Sequence, residues 1–234
     1  MSRPFWYPPI LAYHRVSPAY STETPTLTPE TFERQMKLLA ERWNPIPLDR
    51  LVEALEKQEE LPQRGVVITF DDGTEDNHAH AFPILARYKI PATIFLIARD
   101  VGKPGFLTWP QIHEMAGGGI CFGSHSLAHD YLSSMPLARA EESLSVPRQL
   151  LKEQGLPADH LSYPGGGYTE EIAKIARSLG YRSACTTNRG LRRFPADLWA
   201  LRRITMHESV RTPMDLWLRC CGWYGLNRRL RKPA

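Results

Sequence analysis

Val66-Val67-Ile68-Thr69-Phe70-Asp71-Asp72-Gly73 is a short apolar and β-branched run that ends in two carboxylates and a glycine. Its length and composition suit a strand buried on both faces, as in a parallel sheet, better than a helix. Asp71 and Asp72 then fall at the C-terminal end of that strand. Adjacent carboxylates in an extended segment point in roughly opposite directions, so one can hold a cation while the other faces a second partner. Asp-Asp-Gly is also ordinary turn chemistry, so the pair needs support from elsewhere in the chain.

Upstream, Thr28-Pro29 opens a helix with Phe32, Met36 and Leu39 on one face, and a second helix is expected from Leu48 to Glu60. Downstream, the expected order is a helix over 76–88, a strand from Ala92 to Ile97, a helix from Trp109 to Met115, and a strand from Gly119 to Gly123 that delivers Ser124-His125. A long helix after Ser134 leads to a strand from Leu161 to Tyr163 that ends in Pro164-Gly165-Gly166-Gly167. A helix from Glu170 to Leu179 and a strand from Tyr181 to Thr187 follow. The alternation predicts repeated β-α units forming a parallel sheet or barrel. In such folds the ligand site lies beyond the carboxyl ends of the strands, where these polar clusters can meet. A chain of 234 residues, 42% hydrophobic and 23% charged, fits one domain over 1–234, with a core of about 10–205 and a basic extension over 206–234.

The formal charge is only +4, but Arg189, Arg192, Arg193, Arg202, Arg203, Arg211, Arg219, Arg228, Arg229, Arg231 and Lys232 crowd the C-terminal third. Such asymmetry suits an anionic substrate or lipid surface as well as a merely solvated face. The four cysteines form no C-x-x-C pair, and no run of about 20 apolar residues is present to span a membrane. The expectation is a soluble cytoplasmic protein, membrane-peripheral at most, with an oligomeric state the sequence does not reveal. Neither glycine triplet sits in a G-x-G-x-x-G context and no Walker motif occurs, so no nucleotide fingerprint is present; separately, no nucleic-acid partner is expected. A lone Trp such as Trp6 or Trp109 could stack on a ligand ring but is more often core, and at least one of His78 and His80 should face solvent.

His125 and His129 are spaced i, i+4, which on a helical turn puts both imidazoles on one side, suited to one cation. With a strand-end aspartate they make a two-His, one-carboxylate set with positions left for water and substrate.

Thr69-Phe70-Asp71-Asp72-Gly73, His125-Ser126-Leu127-Ala128-His129 with Leu132, and Tyr163-Pro164-Gly165-Gly166 together resemble, in order and spacing, three motifs of the polysaccharide deacetylase (NodB-like) family. The resemblance runs from about Ile10 to Thr205. It implies a distorted (β/α) TIM-like barrel and a hydrolase that removes an N-acetyl or O-acetyl group from a carbohydrate or glycan precursor. It further implies Asp72, His125 and His129 as ligands of a divalent cation, zinc first with cobalt or nickel as alternatives, and Asp71 as general base. Tyr163, Pro164 and Gly165 would form an oxyanion and substrate-binding wall.

The sequence also departs from the family pattern. The third motif lacks its arginine, which orients the base, and Gly165 stands where an aromatic residue is usual. The late Leu-x-His motif that supplies a general acid has no clean match. His14, in Leu11-Ala12-Tyr13-His14-Arg15-Val16, is the stronger candidate for the acid, and His207 the other. These gaps leave open a weak or inactive carbohydrate-binding relative and a hydrolase of non-sugar amides. The expected substrate is an acetylated sugar or glycan, an anionic or lipid-linked one among the options.

Overall fold

The computed structural model describes residues 7–19, 21, 24–188 and 196–221. Trp6, Arg189, Arg192, Arg193 and the basic run from Arg228 to Lys232 lie outside the described residues. Seven parallel strands close into a barrel: β1 (Ile10–Tyr13), β2 (Gly65–Phe70), β3 (Ala92–Leu96), β4 (Ile120–Ser124), β5 (His160–Ser162), β6 (Ser183–Thr186) and β7 (Leu201–Thr205). β1 closes the ring by pairing on both sides, Ile10 opposite Arg203 of β7 and opposite Val67 of β2. Every residue of β2 is buried, as its unbroken apolar run required.

Helices α1 (Pro29–Arg42), α2 (Leu48–Lys57), α3 (Phe82–Tyr88), α4 (Trp109–Gly117), α5 (Leu137–Glu153), α6 (Glu170–Ser178) and α7 (Pro213–Cys220) cover the barrel. Thr28 caps α1 by accepting from the Thr31 N–H, and Phe32, Met36 and Leu39 face the core. α7, in the expected C-terminal extension, buries Leu216 and Cys220 in the same core. Trp109 packs partly buried against that core as well.

The single helix expected over 76–88 is instead a π turn, Asn77–Ala81, running into α3. A π turn often marks a functional region, and here it frees two side chains to hold the segment after β1. Asp76 accepts from Arg15 Nε (2.8 Å) and from the Val16 N–H (2.9 Å), while Asn77 Nδ2 donates to the His14 carbonyl (2.8 Å).

Four of the arginines behind the basic C-terminal third have internal acceptors. Arg202 donates to the Asn188 carbonyl, Arg203 to Asp71, Arg211 to the Glu208 carbonyl and Arg219 to the Thr205 carbonyl. All four cysteines remain thiols, and no helix among the described residues is long and apolar enough to cross a membrane.

A candidate metal centre at the barrel rim

Asp71 and Asp72 leave β2, His125 leaves β4, and the Tyr163 turn leaves β5, so the polar clusters do meet at one rim. Asp72 Oδ1 lies 3.5 Å from His125 Nε2 and 3.6 Å from His129 Nε2. Ligand atoms around a tetrahedral zinc, with bonds of about 2.0–2.1 Å, stand about 3.4 Å apart. Asp72 Oδ1 is also buried without a hydrogen-bond partner, a costly state that a cation would relieve. These three residues therefore fit a divalent metal on both geometry and donor chemistry.

The helical turn expected for His125 and His129 is absent. Residues 125–129 form a non-helical loop in which Ser126 (φ 65°) and His129 (φ 58°) take left-handed backbone conformations. That loop, not helical periodicity, brings the two rings to a centroid distance of 5.0 Å. Asp72 is left-handed too (φ 74°) rather than extended. Three non-glycine residues held this way cost of order 1–3 kcal/mol each, strain of the sort concentrated at functional sites.

Second partners aim these groups. The Ser162 carbonyl accepts from His125 Nδ1 at 2.8 Å, so the proton sits on Nδ1 and the Nε2 lone pair faces Asp72 and His129. Burial holds the His125 imidazole down at about 4, in the neutral form a ligand needs. Burial and the adjacent Asp71 charge push the Asp72 carboxyl up to about 6.

Asp71 has a different environment. Arg203, one of the basic residues of the C-terminal third, points inward from β7 and grips both Asp71 oxygens, at 2.7 and 2.6 Å. Its Nη2 also reaches Ser162 Oγ (2.7 Å), and its guanidinium lies over the Phe95 ring, 5.4 Å from the centroid. Burial works to raise the Asp71 carboxyl, but Arg203 and then His125 outweigh it and hold it well below the usual carboxylate range. The arginine missing from the third motif is thus replaced, in space, by one from another strand. In Leu201-Arg202-Arg203-Ile204-Thr205 strand alternation sets Arg203 on the same face as Leu201, but nothing local names Asp71 as its partner.

His14 follows β1 directly, with Nε2 3.9 Å from Asp71 Oδ2 and Nδ1 buried without a partner. His207 lies past β7 beside Glu208, whose carboxylate accepts from the Thr28 N–H and Thr31 Oγ1 at the start of α1. His78 is taken up by Glu114 on the surface, 2.9 Å away. In the third motif only Gly165 presents a surface: Pro164 is buried, and the Tyr163 ring is buried and stacked on Tyr168 at 4.9 Å. Pro164 has no N–H and the Gly166 N–H donates to the Tyr163 carbonyl (2.8 Å), so Gly165 supplies the turn's remaining N–H. Gly165 is itself left-handed at φ 63°.

A closed parallel barrel whose rim gathers two histidines and one carboxylate beside an arginine-clamped aspartate has the donor set and the placement of a catalytic divalent-metal site. Comparison with known proteins specifies it further. The polysaccharide deacetylase family profile matches residues 58–184. A Bacillus subtilis protein that carries a polysaccharide deacetylase name, YxkH, is 32% identical over 204 residues, covering 86% of this chain and 72% of its own. The poly-beta-1,6-N-acetyl-D-glucosamine N-deacetylase of Staphylococcus epidermidis is 27% identical over 67% of this chain, which spans 60% of that enzyme's length. Among solved structures, Streptococcus pyogenes deacetylase PplD in complex with acetate superposes with a TM-score of 0.84 at 26% identity, covering 91% of this chain and 97% of that one. IcaB from Ammonifex degensii gives 0.78 at 26% identity, covering 90% and 96%. The chain belongs to the polysaccharide deacetylase family, hydrolases of carbon–nitrogen bonds other than peptide bonds.

Proposed function

We propose that this protein is a metal-dependent deacetylase that removes the N-acetyl group, or an O-acetyl group, from an N-acetylated sugar in a glycan. The observation that carries this reading is the convergence of Asp72, His125 and His129 around the partnerless Asp72 Oδ1, next to an Asp71 held separately by Arg203. Asp72, His125 and His129 would hold the cation, zinc by donor set with cobalt or nickel able to substitute; when bound it supplies Lewis acidity to the acetyl carbonyl and to water.

Each remaining role falls to a residue of the chain. Asp71 takes the proton from the attacking water. Its clamp keeps it ionised and oriented at the cost of basicity, since a general base works best with a pKa near the operating pH. The Gly165 N–H donates to the oxyanion of the tetrahedral intermediate. His14, anchored through its carbonyl by Asn77, returns a proton to the departing amine. Arg203 removes one of the two motives for a weak or inactive relative, because an arginine that orients Asp71 is present; the other, the general acid, rests on His14. A cytoplasmic setting and a peripheral approach to an anionic or lipid-linked glycan are proposed on the basic C-terminal third of the sequence.

Metal-restored protein incubated with a β-1,6-linked N-acetylglucosamine oligomer should release acetate, and a His14→Ala variant should lose about 10²–10⁴-fold in kcat. Release from a small non-sugar amide but from no sugar would count against the carbohydrate reading.

A further inference from the structure

The aromatic residue missing at position 165 has a spatial substitute. Tyr131, two residues after His129, carries its ring against Gly165: a methyl group built on Gly165 would stand 2.5 Å from Tyr131 Cε1. A side chain at 165 would have to push the Tyr131 ring out of this position, so the bare glycine leaves the place for it. Tyr131 is 63% exposed as a residue, although its neighbour Leu132 is fully buried. Its backbone is fixed, since the Tyr131 carbonyl accepts from both the Ser134 N–H (3.1 Å) and Ser134 Oγ (2.9 Å). A large aromatic ring is thus displayed from an anchored segment, between a metal-ligand histidine and the turn expected to hold the oxyanion. A single exposed aromatic needs no explanation by itself, but a ring held open against a bare glycine at this rim offers a flat apolar face of the kind that stacks on a sugar's C–H face.

We propose that Tyr131 is the platform on which the pyranose ring bearing the acetamido group lies, and that it selects ring-bearing substrates over small acyl compounds. The inference rests on the deacetylase reading and names the substrate class of the same site. Its test compares metal-restored wild type with Tyr131→Ala, Tyr131→Phe and Tyr131→Trp, on a tetramer of β-1,6-linked N-acetylglucosamine and on ethyl acetate, an ester with no ring. The ratio of kcat/KM for tetramer over ester should fall roughly three- to tenfold in Tyr131→Ala, carried mainly by KM, and return in Tyr131→Phe and Tyr131→Trp. Calorimetric binding of the tetramer to Asp71→Asn protein should weaken by a similar factor when Tyr131→Ala is added. An unchanged ratio in Tyr131→Ala, or a Tyr131→Phe variant as impaired as Tyr131→Ala, would overturn the platform. Wild type that cleaves the ester but neither binds nor deacetylates the tetramer would instead overturn the sugar-deacetylase reading, and the platform with it.

Discussion

The neighbours Asp71 and Asp72 show how one residue type is given two roles by its surroundings. Arg203 keeps Asp71 an anion, whereas Asp72, beside that anion and partly buried, is raised to about 6. Metal binding requires an ionised Asp72, so zinc affinity should fall as the pH drops below about 6, with proton release on binding below that point; a pH-independent zinc titration would contradict this. Arg203→Met leaves Asp71 buried without its counter-ion and should cost about 3–5 kcal/mol of stability. The depressed Asp71 carboxyl stabilises the fold above the unfolded carboxylate value of about 3.9, a contribution lost as pH falls toward the folded value. Without Arg203 the carboxyl rises and its effect reverses, so the deficit seen in urea melts should shrink on going from pH 7 to pH 5. The motif residues were legible because each lies close in sequence to its strand end. The Asp71–Arg203 contact spans 132 positions, and no local pattern announces it.

At the scale of elements, strand and helix identity followed from apolar period, while loop geometry did not. The i, i+4 histidines suggested a helix, but the loop reaches the same result through left-handed residues, which spacing alone cannot reveal. The π turn at Asn77–Ala81 was equally hidden, because its reason is the tie from Asn77 to the His14 carbonyl on another element. Gly123 in β4 shows what close strand packing demands: a methyl there would lie 2.7 Å from the His160 carbonyl oxygen and 2.8 Å from Phe95 Cδ1. Gly123→Ala should destabilise by about 1–3 kcal/mol through overpacking and, by shifting the strand that delivers His125, weaken zinc binding as well. Thermal melts and a zinc titration of the same sample check both effects.

For the whole molecule, the barrel separates chemistry from stability. The carboxyl ends of the strands carry the candidate metal centre, while His160 and Ser183, the first residues of β5 and β6, lie at the other end. There His160 bonds Ser183 Oγ and Asp49 Oδ1, each at 2.9 Å. The His160 hydrogen bond holds the Asp49 carboxyl low, so this pair stabilises the fold above the ordinary carboxylate range and loses that effect as pH falls through the folded value. Asp49→Asn should lower the melting temperature at pH 7 while leaving kcat/KM within about twofold, since catalysis in these barrels belongs to the opposite face. β-α alternation around Val66–Asp72 left a parallel sheet or a barrel open, and the resemblance alone implied the barrel; its closure through β1, paired with both β2 and β7, depends on long-range register that periodicity does not encode. The division of labour between the two aspartates is tested most directly by zinc titration of metal-stripped protein, following acetate release from N-acetylglucosamine oligomers alongside metal content. Release should rise to a plateau at one zinc per chain; Asp71→Asn should bind that zinc yet release no acetate, and Asp72→Asn should fail to bind it. Acetate release that proceeds without metal, or an Asp71→Asn variant as active as wild type, would contradict the assignment.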